Sequence, residues 1–175
     1  MKLFKKLAAV VLAAALALTM VGCGGNSYAM QNELLKLSID YMTDRGKTVT
    51  HTKKADDLAA ALLAAVAQEA NNGKNAEDLL LDETVIAAAG IDSEKTPCLV
   101  NLIDDVQFKS SGMMGELLKM EWMWQVTRFE NFSEIGRFKP RDNDKVEIGA
   151  ATHKIGDKSY ILILATYTPT TPSIT

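Results

Sequence analysis

Cysteine and histidine are scarce in this chain, with two of each in 175 residues. Cys23 and Cys98 cannot support a disulfide framework. His51 and His153 have no partner at a metal-ligand spacing such as H-x-x-x-H, so a structural or solvent-exposed role is the simpler reading of both. No G-x-S-x-G elbow, P-loop or Rossmann glycine pattern occurs. Ser110-Ser111-Gly112 reads as a turn. Positive charge is not in excess either: 19 Lys and Arg against 22 Asp and Glu give a formal charge of −3. Without a basic stripe, nucleic acid is excluded as a partner. The apolar run Leu7 to Leu18 falls short of the ~20 residues that a spanning helix needs. Paired carboxylates do occur, at Asp56-Asp57 and Asp104-Asp105, but at helix starts or in loops, where capping and solvation account for them.

What the chain does have begins at its N-terminus. Met1-Lys2-Leu3-Phe4-Lys5-Lys6 is basic, Leu7 to Leu18 is uncharged and rich in alanine, and Thr19-Met20-Val21-Gly22 leads to Cys23. These features describe a secretory signal peptide. A cysteine directly after Gly22 resembles the bacterial lipobox, with Met20 where that pattern usually has leucine. The resemblance implies cleavage before Cys23 and a diacylglycerol thioether on it. The protein is then extracytoplasmic and lipid-anchored to the bacterial cell membrane. Acyl burial at ~0.8 kcal/mol per CH₂ makes two chains a firm anchor where one is marginal. The alternative is an uncleaved anchor with a chance cysteine. Residues 1–22 are read as the signal, 23–30 as a lipidated tether (Gly24-Gly25-Asn26-Ser27 its flexible part), 31–167 as one domain and 168–175 as a loose Thr/Pro tail. Loss of Lys2, Lys5 and Lys6 takes the formal charge from −3 to −6. That acidity argues against attraction to anionic lipid.

Along the mature chain, Glu33 to Met42 reads as a helix with a broad apolar arc that includes Leu34, Leu37 and Tyr41, closed by Asp44-Arg45-Gly46. Lys47 to Lys54 reads as polar and irregular. Asp56 to Ala70 is the clearest helix, with Leu58, Leu62, Leu63 and Val66 at helical spacing. A short helical piece near Thr84–Ala89 stops at Gly90. Pro97 opens a buried strand, Cys98 to Ile103, which makes Cys98 a small buried hydrophobe; a reactive thiol is the minority alternative. Met113 to Val126 reads as a helix, with Met113, Leu117, Met120 and Trp124 on one face. That stripe reads as core, with a ligand groove as the alternative. Val146 to Thr152 alternates, Ile155 to Lys158 turns, and Tyr160 to Tyr167 is a continuous β-rich run. Together they predict an antiparallel hairpin. The order of elements predicts an α+β sandwich.

The segment order is similar to that of the CAP superfamily (cysteine-rich secretory proteins, antigen 5 and pathogenesis-related 1 proteins), in particular its bacterial members. Leu34 to Tyr41 resembles the family's first helix, Gly46 to Thr52 the loop after it, and Ala55 to Ala61 the start of its alanine-rich second helix. Val85-Ile86-Ala87-Ala88-Ala89-Gly90, Val100-Asn101-Leu102-Ile103, Glu121-Trp122-Met123, Val146 to Ala150 and Tyr160 to Ile163 resemble later segments in turn. The resemblance implies an α-β-α sandwich, helices packed on a small, mainly antiparallel sheet. The family's divalent-metal cleft does not carry over. Its strand glutamate is Val100 here, Gln125-Val126-Thr127-Arg128 stands in place of pro-gly-his-arg, and no histidine occurs among Asn71, Asn72 and Gly73.

No metal or cofactor is therefore expected. The reading that follows is a non-enzymatic, membrane-anchored module that binds a small ligand, envelope component or partner protein. Its cleft is walled by the Met113–Trp124 helix and the Val100–Ile103 strand, with Trp122, Trp124, Arg128 and Glu130 as binding residues, since Trp and Arg dominate binding energetics. The rivals are a degenerate metal-dependent hydrolase using His51, His153 and an acid, and a purely structural envelope lipoprotein.

Overall fold

A computed structural model describes residues 25–70, 73–104, 113–140 and 144–167. The signal segment, Cys23, the Ser110-Ser111-Gly112 turn and the 168–175 tail lie outside the described residues. In chain order the elements are α1 (Gly25–Asp44), β1 (Thr48–His51), α2 (Lys53–Ala70), α3 (Ala76–Leu79), α4 (Glu83–Ala88), β2 (Cys98–Asp104), α5 (Met113–Val126), a 3-10 turn (Phe129–Asn131), β3 (Ser133–Ile135), β4 (Lys145–Ile155) and β5 (Lys158–Tyr167).

One five-stranded sheet runs β1-β4-β5-β2-β3. Three of its ladders are antiparallel and the fourth, β1 on β4, is parallel. The predicted hairpin is β4–β5, in register from Val146 opposite Tyr167 to Ile155 opposite Lys158. Period-two alternation divides the core between the two faces. On one side Cys98, Val100, Ala151, Leu162 and Leu164 pack against Leu62, Leu63 and Val66 of α2 and against α3 and α4. On the other, Leu99, Ile148, Ile161 and Ile163 pack with Met30 and Leu34 of α1 and Met123 of α5. The sheet is thus the middle layer, and β5, buried on both faces from Ile161 to Thr166, is its centre.

Three departures from the sequence reading have plain physical causes. First, α1 begins at Gly25, so most of the predicted 23–30 tether is helical. Asn26, Ser27 and the preceding glycines carry no helix signal, and the run from Met30 onward, with Met30, Leu34 and Leu35 buried, supplies it. Second, the supposedly irregular stretch contains β1. It is an edge strand of four residues, largely exposed, so it shows no apolar alternation. Third, α2 starts at Lys53, leaving Asp56 as the acid in its first turn. The expected end of α1 is there: Gly46 has φ +77°, and the Lys47 N–H returns to the Met42 carbonyl at 3.2 Å.

Where β1 stops at His51, β4 continues to Ile155, with no strand beside it on that side among the described residues. The backbone groups there are met by side chains instead. The Ala150 N–H donates to Asp56 Oδ1 at 2.9 Å. Gln31 Nε2 donates to the Ala150 carbonyl at 2.9 Å, and the Thr152 hydroxyl donates to Gln31 Oε1 at 2.6 Å. Asp56 also pairs with His51 Nε2, at 2.8 Å. For Asp56 to reach the strand, α2 must sit close to β4, and Gly149 makes the room.

Candidate functional site

The four residues proposed from sequence do not all share one side of their helix. All lie on or just after α5, and a helix turns each residue about 100° from the last, so Trp122 and Trp124 point to opposite sides. Trp122 is half-buried against the core shared with α1; Trp124 is 48% exposed. Arg128 and Glu130 are exposed beyond the helix end. None of the four lines the cavities described below. The core reading of the Met-Trp stripe needs correction too. Met120 is 63% exposed, and the helix buries Met123, one position round, instead. The cause is the sequence of α5 itself, apolar on nearly every side, so spacing alone could not select the inner face.

The α5 helix is held to the sheet at its C-terminal end by polar contacts. Asn101, buried on β2, donates from Nδ2 to the Val126 carbonyl at 2.6 Å. The Thr127 hydroxyl donates to the Met123 carbonyl at 3.1 Å. The Asn101 bond satisfies a carbonyl that a helix end otherwise leaves orphaned, whereas Met123 also accepts the Thr127 N–H.

A cavity in the same layer lies between the end of α1, β2 and the segments on either side of β3. It has a volume of about 330 Å³ and is lined by Met42, Lys47, Leu99, Phe132, Glu134, Phe138, Pro140 and Val146. Its floor is core: Met42, Leu99 and Val146 belong to the cluster under α1. Phe138 is fixed by an edge-on contact with Tyr167, 5.2 Å between ring centres at 88°. Lys47 Nζ donates to the Pro140 carbonyl at 3.2 Å, which places a cation at the rim. Glu134, exposed on β3, brings an anion to the same lining. An apolar floor with two aromatic rings and two opposite charges suits a small amphiphilic group.

Two further hollows among the described residues are less suited. One of about 430 Å³ is lined by Lys53, Lys54, Asp57, Leu58, Ala61, Ala89 and Gly90, but its lysines are paired, Lys53 with Asp57 at 2.7 Å and Lys54 with Glu147 at 3.1 Å. The other, about 190 Å³ and lined by Val100, Asn101 and Leu102 with Asn131, Ser133, Glu77 and Leu80, is small and mostly polar.

Histidine chemistry is not assembled. His51 aligns with Ile148 on β4, five residues before His153, a separation of roughly 16 Å along the strand. Burial holds His153 below the ordinary imidazole range. Among the described residues no three His, Cys, Asp or Glu side chains gather as a metal site. Cys98 is fully buried and donates to the Thr96 carbonyl at 3.2 Å; burial pushes its thiol up to about 11. The thiol therefore stays protonated at pH 8, and the nucleophilic thiolate is scarce. The Cys98 peptide is expected to remain unlabelled by iodoacetamide in the native chain and to label fully in urea, read by mass spectrometry. Native labelling at the unfolded rate would refute the buried, protonated thiol.

Sequence reading missed Lys47, Phe132, Glu134, Phe138 and Pro140. The available signal was two phenylalanines six residues apart amid Arg137, Lys139 and Arg141, in a stretch lacking helix or strand periodicity. No family model, curated protein or solved structure matches the chain.

Proposed function

We propose that this chain is an extracytoplasmic lipoprotein, anchored through Cys23, whose folded part is a CAP-like module that binds a small envelope ligand without catalysis. The signal-like N-terminus ending in Gly22-Cys23 supports the anchor. The order of segments along the chain, together with helices on both faces of a mainly antiparallel sheet, supports the CAP-like reading. The observation that carries binding is the cavity over Leu99 and Val146, with Phe132 and Phe138 in its wall. Its chemistry fits an acyl or aromatic group with a polar end held near Lys47 and Glu134. The proposed ligand site is this cavity, in place of the Trp122–Glu130 segment.

The test is a titration of the mature protein with short-chain fatty acids, lysophospholipids and muropeptide fragments, followed by amide NMR shifts. Saturable shifts at Leu99, Phe132, Phe138 and Val146 are expected for at least one class. Val146→Phe fills the cavity from its floor and should weaken that binding tenfold or more, about 1.4 kcal/mol, with the melting temperature as the check on folding. Saturable shifts elsewhere only, or unchanged affinity in a folded Val146→Phe variant, would place the site outside this cavity.

A further inference from the structure

The α5 helix carries more apolar surface than its own domain covers. Nine of its 14 residues are Met, Leu, Trp or Val. A helix apolar on every side needs cover on more than one. The sheet and α1 cover Met123 and part of Trp122. Met120 and Trp124, one turn apart on another side, stand 63% and 48% exposed. Residues four apart on a helix are neighbours, so the two make one patch, and among the described residues both stay more than one-third exposed.

The place of this patch relative to the chain's origin indicates what covers it. Helix α1 begins at Gly25, two residues after Cys23. Two residues span at most about 7 Å. Glu33, about 12 Å along α1 from that start, ion-pairs with Lys119 of α5 at 3.9 Å. Met120 is the next residue. A lipid on Cys23 therefore holds α5 close to the headgroups, with no long linker to let the domain stand off. Trp prefers the interface between headgroups and hydrocarbon, where its ring is sheltered and its N–H stays hydrated. Exposed charges about the patch are of both signs, Glu121 and Glu130 with Arg128, in a mature chain of charge −6. The surface it suits is zwitterionic rather than strongly anionic.

We infer that the Met120–Trp124 face of α5 rests in the surface of the bilayer that holds the Cys23 lipid, so that the domain lies on the membrane in one orientation. This rests on the lipoprotein reading above, and the test separates the two. The lipidated chain is reconstituted with phosphatidylcholine vesicles and floated on a density gradient. Failure to float overturns the anchor and the inference with it. In a floating Trp122→Phe chain, the remaining Trp124 emission should move to shorter wavelength and fall by about twofold or more with lipid brominated near the headgroup, as interfacial placement requires. Trp124→Phe, which keeps only Trp122, should show little of either effect. In the unsubstituted chain, peroxide oxidation of Met120 should slow several-fold on vesicles relative to detergent-dispersed protein. Flotation with Trp124 unquenched and Met120 oxidised at the dispersed rate overturns the docking and leaves the anchor standing. Slowed oxidation that instead follows protein concentration, with a dimer mass, assigns the face to a second copy and also overturns it.

Discussion

Gly149→Ala is expected to destabilise the protein by about 3 kcal/mol or more, at the top of the range for overpacked cores. A β-carbon at this position would stand 2.2 Å from the Asp56 backbone nitrogen and 2.3 Å from the Ala55 carbonyl carbon. Both are backbone atoms of a helix, so no rotamer change can relieve the clash. Either α2 lifts from β4 or the strand bends away. Each movement stretches the Ala150 N–H to Asp56 bond and the 3.1 Å bond from the Thr52 N–H to the Ile148 carbonyl. A urea titration reads the effect as a lower midpoint at unchanged slope. A loss below about 1 kcal/mol would mean that α2 does not sit this close to the sheet.

Leu162→Ala should cost about 2 to 5 kcal/mol. Leu162 is fully buried, faces Leu102 on one neighbouring strand and Ala151 on the other, and belongs to the cluster that includes Leu62, Leu63 and Val66. Its neighbours are held by two ladders, so the sheet cannot collapse into the void, and cavity cost adds to lost burial. Leu81→Ala is the matched control, because Leu81 is 48% exposed and its truncation should stay within about 0.5 kcal/mol. Equal losses at the two positions would contradict the placement of β5 at the centre.

These expectations rest on elements whose sequence signals were strong. The alanine-rich α2, the β4–β5 hairpin and the buried β2 were legible because burial of a whole face imposes a period, and Leu62, Val66, Ile148 and Leu162 display it. The same logic explains the failures. Edge strands β1 and β3 have four and three residues and bury little, so no pattern marks them. Helix α3 is four residues long and is set by its cap, where Asn75 Oδ1 accepts the Glu77 N–H at 3.2 Å, a local bond invisible to periodicity. The cavity could not be read at all. Met42, Leu99, Phe132, Phe138 and Val146 come from α1, β2, β4 and two connecting segments, and only the sheet order makes them neighbours. Trp122 and Trp124 stand out by residue type, whereas their direction depends on which side of α5 meets the sheet.

The side chains that complete β4 beyond His51 also bear on how these molecules meet one another. The proposed anchor would concentrate them in two dimensions, and an open strand edge is a template for a neighbour's strand. Gln31 and Asp56 occupy the backbone positions through which such a strand would attach, at Ala150. Both side chains come from helices, so the seal holds only while α1 and α2 are docked. Folding of the two helical layers and protection from strand-to-strand self-association are therefore one event, and a chain that has formed its hairpin but not yet seated α2 is the species most exposed to fibrous assembly.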